Sequence, residues 1–221
     1  MYELAAGVRR FQDAVFPTKR AFFEQLASGQ SPQALMITCS DSRIVPSLIT
    51  QCEPGDLFLV RNVGNIVPPY NANGECATAA AIEFALTVLE VPSIIICGHS
   101  DCGAMKAVAH DKVPEGLPNL GRWLGYASTP KRIVAEVYRD LTPEQRLNVC
   151  IQENVLAQLD NLRTHPVVAS RLCQGQVTLY GWVYKIETGD VFAYDPQQGQ
   201  FLPFASGVPP ASTMLRVPIA V

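Results

Sequence analysis

What most constrains this chain is a pair of short apolar runs that each stop at a side chain able to bind a metal. The first, "ALMIT" (34–38), runs into Cys39; the second, "PSIIICG" (92–98), runs into His99, with Cys102 three residues further on. Runs of this length, rich in β-branched residues and apolar throughout, read as strands covered on both faces, as in a parallel sheet. In such sheets functional groups gather where strands end at their carboxyl side. The two exits are therefore expected side by side.

The remaining pattern alternates helices with strands. Residues 3–28 carry a helical period through Leu4, Val8, Phe11, Val15, Phe22, Phe23 and Leu26, interrupted by Pro17, and "SGQSP" (28–32) closes this stretch. "DLFLVRN" (56–62) reads as a strand, and "NANGE" (71–75) opens a helix to Leu89. A helix begins within "HSDCGAMKAVAH", a Pro/Gly-rich excursion covers 113–121, and helical stretches follow at about 130–140 and 143–163. "QVTLYGWVYKI" (176–186) and "DVFAYD" (190–195) form a hairpin. The expected fold is α/β: a mainly parallel central β-sheet flanked by helices, with an N-terminal helical arm (1–30), a main α/β domain (31–196) and a C-terminal antiparallel edge strand. Residues 197–221 are a Pro-rich tail or edge segment.

With 221 residues the chain is long enough to bury about 70% of its unfolded surface in one large domain. The net charge of −3 favours neither nucleic acid nor an anionic membrane. No apolar run approaches the ~20 residues of a membrane span. The start, "MYELAAGVRRFQ", lacks the charged-then-apolar order of a secretory leader. Seven scattered cysteines, an odd number, suit a reducing compartment such as the cytoplasm, where grouped thiols mean metal or catalysis rather than bridges.

Cys39, His99 and Cys102 together make a thiolate–imidazole–thiolate set, and catalytic zinc keeps three protein ligands and one open position. On the residues alone a second reading stands equally: a satisfied loop histidine beside a buried cysteine, and at 39–43 an ordinary strand exit with a salt bridge. Cys97 ends an apolar strand and reads as core, across the sheet from the ligands. Cys52, Cys76, Cys150 and Cys173 read as small buried hydrophobes. His110 and His165 read as helix residues, on the surface or satisfied.

"CSDSR" (39–43), "RNVGN" (61–65) and "GHSDCGA" (98–104), in this order, resemble a β-class carbonic anhydrase of the cyanobacterial and plant-like branch, over about residues 20 to 195. The resemblance implies one Zn²⁺ per chain on Cys39, His99 and Cys102, and interconversion of carbon dioxide and bicarbonate. It implies an Asp41–Arg43 pair in which Asp41 accepts a hydrogen bond from the zinc-bound oxygen and Arg43 keeps the carboxylate ionised and in place. Released by Arg43, Asp41 could instead close the site as a fourth ligand. In some members closure accompanies bicarbonate at a second pocket that uses a tryptophan; Met36 stands there, so the open form is expected near neutral pH. Two thiolates offset the charge of the ion, so activity is expected to rise on the alkaline side.

The resemblance places Gln30, Phe58, Val63, Phe84 and Gly103 around the substrate, Phe84 where the family has a tyrosine. It implies a cleft between two subunits, hence a homodimer or a larger homo-oligomer. It also raises carboxysome shell or scaffold proteins as partners of residues 197–221. Three rivals remain: a carbonyl sulfide or carbon disulfide hydrolase on the same scaffold, a carboxysome-associated scaffold with structural zinc, and a dinucleotide-binding domain. The last lacks Gly-x-Gly-x-x-Gly.

Overall fold

The strands form where side chains branch at Cβ and no polar group interrupts them. The computed structural model describes residues 2–71 and 76–204. It begins with α1 (Tyr2–Arg10), a π-helical turn (Phe11–Val15), a 3₁₀ turn (Phe16–Lys19) and α2 (Arg20–Leu26). Pro17 sits in the 3₁₀ turn, where its missing N–H costs no α-helical bond. Phe11, Phe16, Phe22 and Phe23 pack on one another across these turns, with ring centroids 5.4–6.1 Å apart. No residue of α1 is buried; Leu4 is 74% and Val8 56% exposed.

Strand β1 (Ala34–Cys39) leads into a short helix α3 (Pro46–Thr50), then β2 (Leu57–Asn62), α4 (Ala77–Thr87) and β3 (Ser93–His99). Helices α5 (Gly103–Ala109), α6 (Pro118–Leu124), α7 (Ser128–Val137), α8 (Pro143–Thr164) and α9 (Pro166–Cys173) follow. The chain closes with β4 (Thr178–Tyr184), β5 (Val191–Asp195) and β6 (Gln200–Pro203). Of the expected helix 71–89, only 77–87 is α-helical, and residues 72–75 lie outside the described residues. Helices α3, α6 and α9, each opening on a proline that suits the first helical turn, were not legible as separate elements: at 5, 7 and 8 residues they are too short to show a helical period.

The six strands run in the order β2-β1-β3-β4-β5-β6. The first four are parallel, and β5 and β6 are antiparallel. The sheet thus ends in two antiparallel strands rather than one, because residues 200–203 of the expected tail pair with β5. One face, with Leu35, Ile37, Ile94, Ile96 and Leu179, is covered by helices; the other buries Ala34, Met36, Ile95 and Cys97. Helix α8 lies directly on β3 and β4. A Cβ on Gly98 would meet Val155 at 3.0 Å, and one on Gly181 would meet Val155 at 2.9 Å. Glycine at both positions sets the height of α8 over the carboxyl end of the sheet.

Candidate metal centre

Parallel pairing of β1 with β3 sets Thr38 beside Cys97, so the two strands leave the sheet together. Cys39 is the last residue of β1 and His99 the last of β3. The chain then turns through Asp101, whose φ of +58° is left-handed, a conformation that aspartate tolerates better than most residues. That turn brings Cys102 to the N-cap of α5. One donor atom from each of Cys39, His99 and Cys102 lies within 4.8 Å of the others, and all three residues are buried. Cys97 packs in the other layer with Ala34, Met36 and Ile95, across the sheet from Cys39 and Cys102.

Nδ1 of His99 lies 2.8 Å from the Ser100 carbonyl. That contact makes Nδ1 the protonated nitrogen and leaves a lone pair on Nε2. Nε2 is fully buried with no hydrogen-bond partner among the described residues. Such an orphan costs about 1–3 kcal/mol in a protein interior. A lone pair facing two thiols is the donor set of a soft or borderline metal such as zinc, so the residues fit the ion. The two thiols are unlike. The Cys102 thiol holds Cys39 well below the usual thiol range, ahead of the nearby His99 ring and the Gly64 N–H, while burial opposes. Cys102 is pushed up by Cys39 and by burial. The Gly64 N–H donates to Cys39 Sγ at 3.4 Å.

Asp41 stands at the rim with its side chain 17% exposed. Arg43 grips both of its oxygens: Nε donates to Oδ1 at 3.0 Å and Nη2 to Oδ2 at 2.8 Å, and the Arg43 backbone N–H adds a third bond to Oδ1 at 3.0 Å. These bonds hold the Asp41 carboxyl far below the ordinary carboxylate range. Asp41 Oδ2 is 3.9 Å from His99 Nε2. Arg43 is itself held from the other exit, where Nη1 donates to Asp101 Oδ2 at 3.0 Å and Nη2 to the Asp101 carbonyl at 3.3 Å.

Sequence reasoning assigned no role to Arg61. Its Nε donates to the Cys39 carbonyl at 3.1 Å and its Nη2 to the Asp41 carbonyl at 2.7 Å, bracing the loop that carries both. The signal was present in "RNVGN", because the register that sets Thr38 beside Arg61 is that of neighbouring parallel strands. Val63 precedes Gly64, and Gly103 follows Cys102 with open space where a Cβ would stand, so both lie beside the group. Gln30, Phe58 and Phe84 do not. Phe58 pairs with Leu35, four residues before the level of Cys39, or ~13 Å down the strand. Phe84 stacks on Phe58 with centroids 5.8 Å apart, and Gln30 is exposed ahead of β1.

A parallel sheet that delivers two thiols and an imidazole to one buried point is the scaffold of a metal-dependent enzyme. Sequence narrows that class: the chain belongs to the carbonic anhydrase family, whose model matches residues 34–191, and so to the enzymes that hydrate carbon dioxide reversibly. A carbonic anhydrase of Synechocystis is 48% identical over 197 residues, which are 88% of this chain and 71% of that protein. The structure of the β-carbonic anhydrase CcaA superposes with a TM-score of 0.90 at 44% identity, covering 95% of this chain and 94% of that one. A tetrameric β-carbonic anhydrase of Sordaria macrospora superposes with a TM-score of 0.71 at 31% identity, covering 87% and 92%. Among the described residues no helix is long and apolar enough to cross a membrane.

Proposed function

We propose that Cys39, His99 and Cys102 hold one zinc ion per chain, and that carbon dioxide is hydrated at this centre with Asp41 and Arg43 in catalytic support. The observation that carries this reading is the buried three-donor group, with His99 Nε2 left without any other partner. Bound there, zinc would supply Lewis acidity that makes water a nucleophile near neutral pH. Two thiolate ligands temper that acidity, so activity rises toward alkaline pH.

The chain's own groups do the rest. Asp41, kept ionised by Arg43, accepts a hydrogen bond from the attacking water and so orients its lone pair toward carbon dioxide. The Arg43 fork, anchored on Asp101, keeps Asp41 at the rim. This arrangement is the one an open site requires, in keeping with Met36 in place of a tryptophan. Val63 and Gly103 flank the substrate. The proton leaves to solvent or buffer: His165 is buried with Nε2 3.0 Å from the Pro68 carbonyl, and His110 is exposed at the far end of α5.

Gln30, Phe58 and Phe84 reach substrate in this reading from a second copy, since one chain holds Phe58 and Phe84 at the opposite end of β2 and Gln30 ahead of β1. A homodimer follows, and the uncovered Leu4 and Val8 of α1 suit contact with that copy. The free state of all seven cysteines fits a cytoplasmic protein. Recruitment to a carboxysome through residues 197–221 is a separate proposal that draws on the cyanobacterial relative; residues 205–221 lie outside the described residues. Equal capture of shell proteins with and without residues 197–221 would remove it. Sulfur substrates and a purely structural zinc have no observation of their own, and the Arg43-held Asp41 is superfluous to the latter.

Stopped-flow hydration across neutral and alkaline pH, with zinc measured in the same sample, tests the central reading. One zinc per chain and activity rising with pH is the expected result. Reduced protein without zinc would sink the assignment.

A further inference from the structure

The Val63–Gly64 peptide is held from both ends. Its N–H donates to Cys39 Sγ at 3.4 Å, and its carbonyl accepts from Trp123 Nε1 of α6 at 2.7 Å. The next peptide is clamped as well, because Asn154 Nδ2 of α8 donates to the Gly64 carbonyl at 3.0 Å. Asn154 is 1% exposed and belongs to a polar stripe at helical spacing, with Gln158, Asn161 and His165, on a face of α8 that is otherwise core. Gln158 donates to Asn154 Oδ1 at 2.9 Å and accepts from the Val67 N–H at 2.9 Å, and Asn161 donates to the Val67 carbonyl at 2.8 Å. The loop is also pressed onto α5, since a Cβ on Gly64, whose φ is +84°, would stand 3.0 Å from Ala104 Cβ.

Satisfying buried carbonyls is reason enough for Asn161 and His165. The Val63–Gly64 unit differs, because its far end meets a sulfur of the metal centre. A peptide whose carbonyl accepts a hydrogen bond donates more strongly through its N–H; estimates for such chains run to roughly 10–30% per bond. We infer that Trp123 and Asn154 are positioning residues for the metal centre: Trp123 aims and strengthens the Gly64 N–H hydrogen bond to the Cys39 sulfur, and Asn154 fixes the peptide that follows and so helps to aim it. This rests on the zinc reading above. Neither residue touches a ligand directly. Trp123 lies just after the Pro/Gly-rich excursion, in a stretch where the sequence showed no functional signal.

Trp123→Phe removes the N–H donor and keeps a ring against Tyr126, which it meets edge-on with centroids 5.8 Å apart. In cobalt-substituted protein the sulfur-to-metal charge-transfer band should move to longer wavelength, because a thiolate with a weaker hydrogen bond is the better donor. In the zinc protein, release to a chelator should quicken about tenfold, the lower end of what loss of an outer partner does to a metal site, because the misplaced sulfur costs more than its better donation returns. Asn154→Ala should move both readouts the same way. Folded variants with the wild-type band and release rate, whatever their melting temperature, would overturn the inference. If Asn154→Ala does not fold, Trp123→Phe decides alone. Wild-type protein that takes up neither zinc nor cobalt would overturn the metal reading itself, a result distinct from wild-type binding with silent variants.

Discussion

Two strands leave the sheet side by side, and each is followed by the same dipeptide: Cys39-Ser40-Asp41 after β1 and His99-Ser100-Asp101 after β3. The residues are used in opposite ways. After β1 the serine is exposed and the aspartate, which we propose orients the attacking water, is locked to Arg43 with its side chain 17% exposed. After β3 the serine is buried: Ser100 Oγ donates to Glu187 at 2.5 Å and accepts from the Ile186 N–H at 2.9 Å. Asp101 there turns the chain in a left-handed conformation, with its side chain 52% exposed to solvent, Lys106 and Arg43. The neighbouring strand makes the difference. Beside β1 stands β2, which supplies Arg61 to hold the loop by its carbonyls and frees the Asp41 carboxylate. Beside β3 stands β4, whose exit takes the serine.

The comparison can be broken most severely at the ligands. Cys39→Ser or His99→Ala should abolish zinc retention and lower kcat/KM at least about a thousandfold, read by metal analysis and stopped-flow hydration of the same samples. Asp41→Ala should keep the metal and lower kcat about a hundredfold, the scale of a lost proton-handling group. Arg43→Lys, which keeps the charge and loses the two-point fork, should cost about tenfold and steepen the dependence on alkaline pH. Asp101→Asn should cost no more than about threefold, since it only steadies Arg43 from an exposed position. An Asp101→Asn loss as large as that of Asp41→Ala would mean that the two aspartates are not functionally distinct.

Acid stability sharpens the contrast by a smaller effect. Both carboxyls sit below their ordinary range, Asp41 through hydrogen bonds from Arg43 and Asp101 through Lys106 first and Arg43 second. A carboxyl depressed by folding contributes stability that is fully present above its unfolded pKa of about 3.9 and lost as pH falls through the folded value. Zinc-free wild type should therefore lose urea resistance between about pH 5 and 2. Asp41→Asn should flatten that loss more than Asp101→Asn does. Equal slopes for the two variants would show that the exits differ in chemistry but not in electrostatics.

Much of this was legible without coordinates. The runs at 34–38 and 92–98 announced buried parallel strands, and the residues after them named the donors. Cys97 read as core and packs there, but its separation from Cys39 is set by the β1–β3 register, which puts Thr38 rather than Cys39 beside it. The N-terminal period and its break at Pro17 also came through. What stayed hidden shares one property: it depends on partners far apart in sequence. Arg61 meets Cys39 through strand register, Trp123 meets Val63 through a helix that begins within the Pro/Gly-rich excursion and runs past it, and Asn154 meets Gly64 across the helix–sheet interface. The stripe of Asn154, Gln158, Asn161 and His165 had helical spacing in plain view, but a polar stripe usually marks the solvent side. Only the loop running beneath α8 makes it a buried one.

By itself, then, the sequence determined which side chains could bind a metal and that strand ends would present them, because strand period and turn chemistry are local. The tertiary structure decided which of seven thiols share a point with an imidazole, which of two Ser-Asp pairs is locked to Arg43 by both carboxylate oxygens, and that Phe58 and Phe84 stand together at the far end of β2. Those outcomes come from parallel pairing through long crossovers, where the meeting of two residues is set by the packing of everything between them.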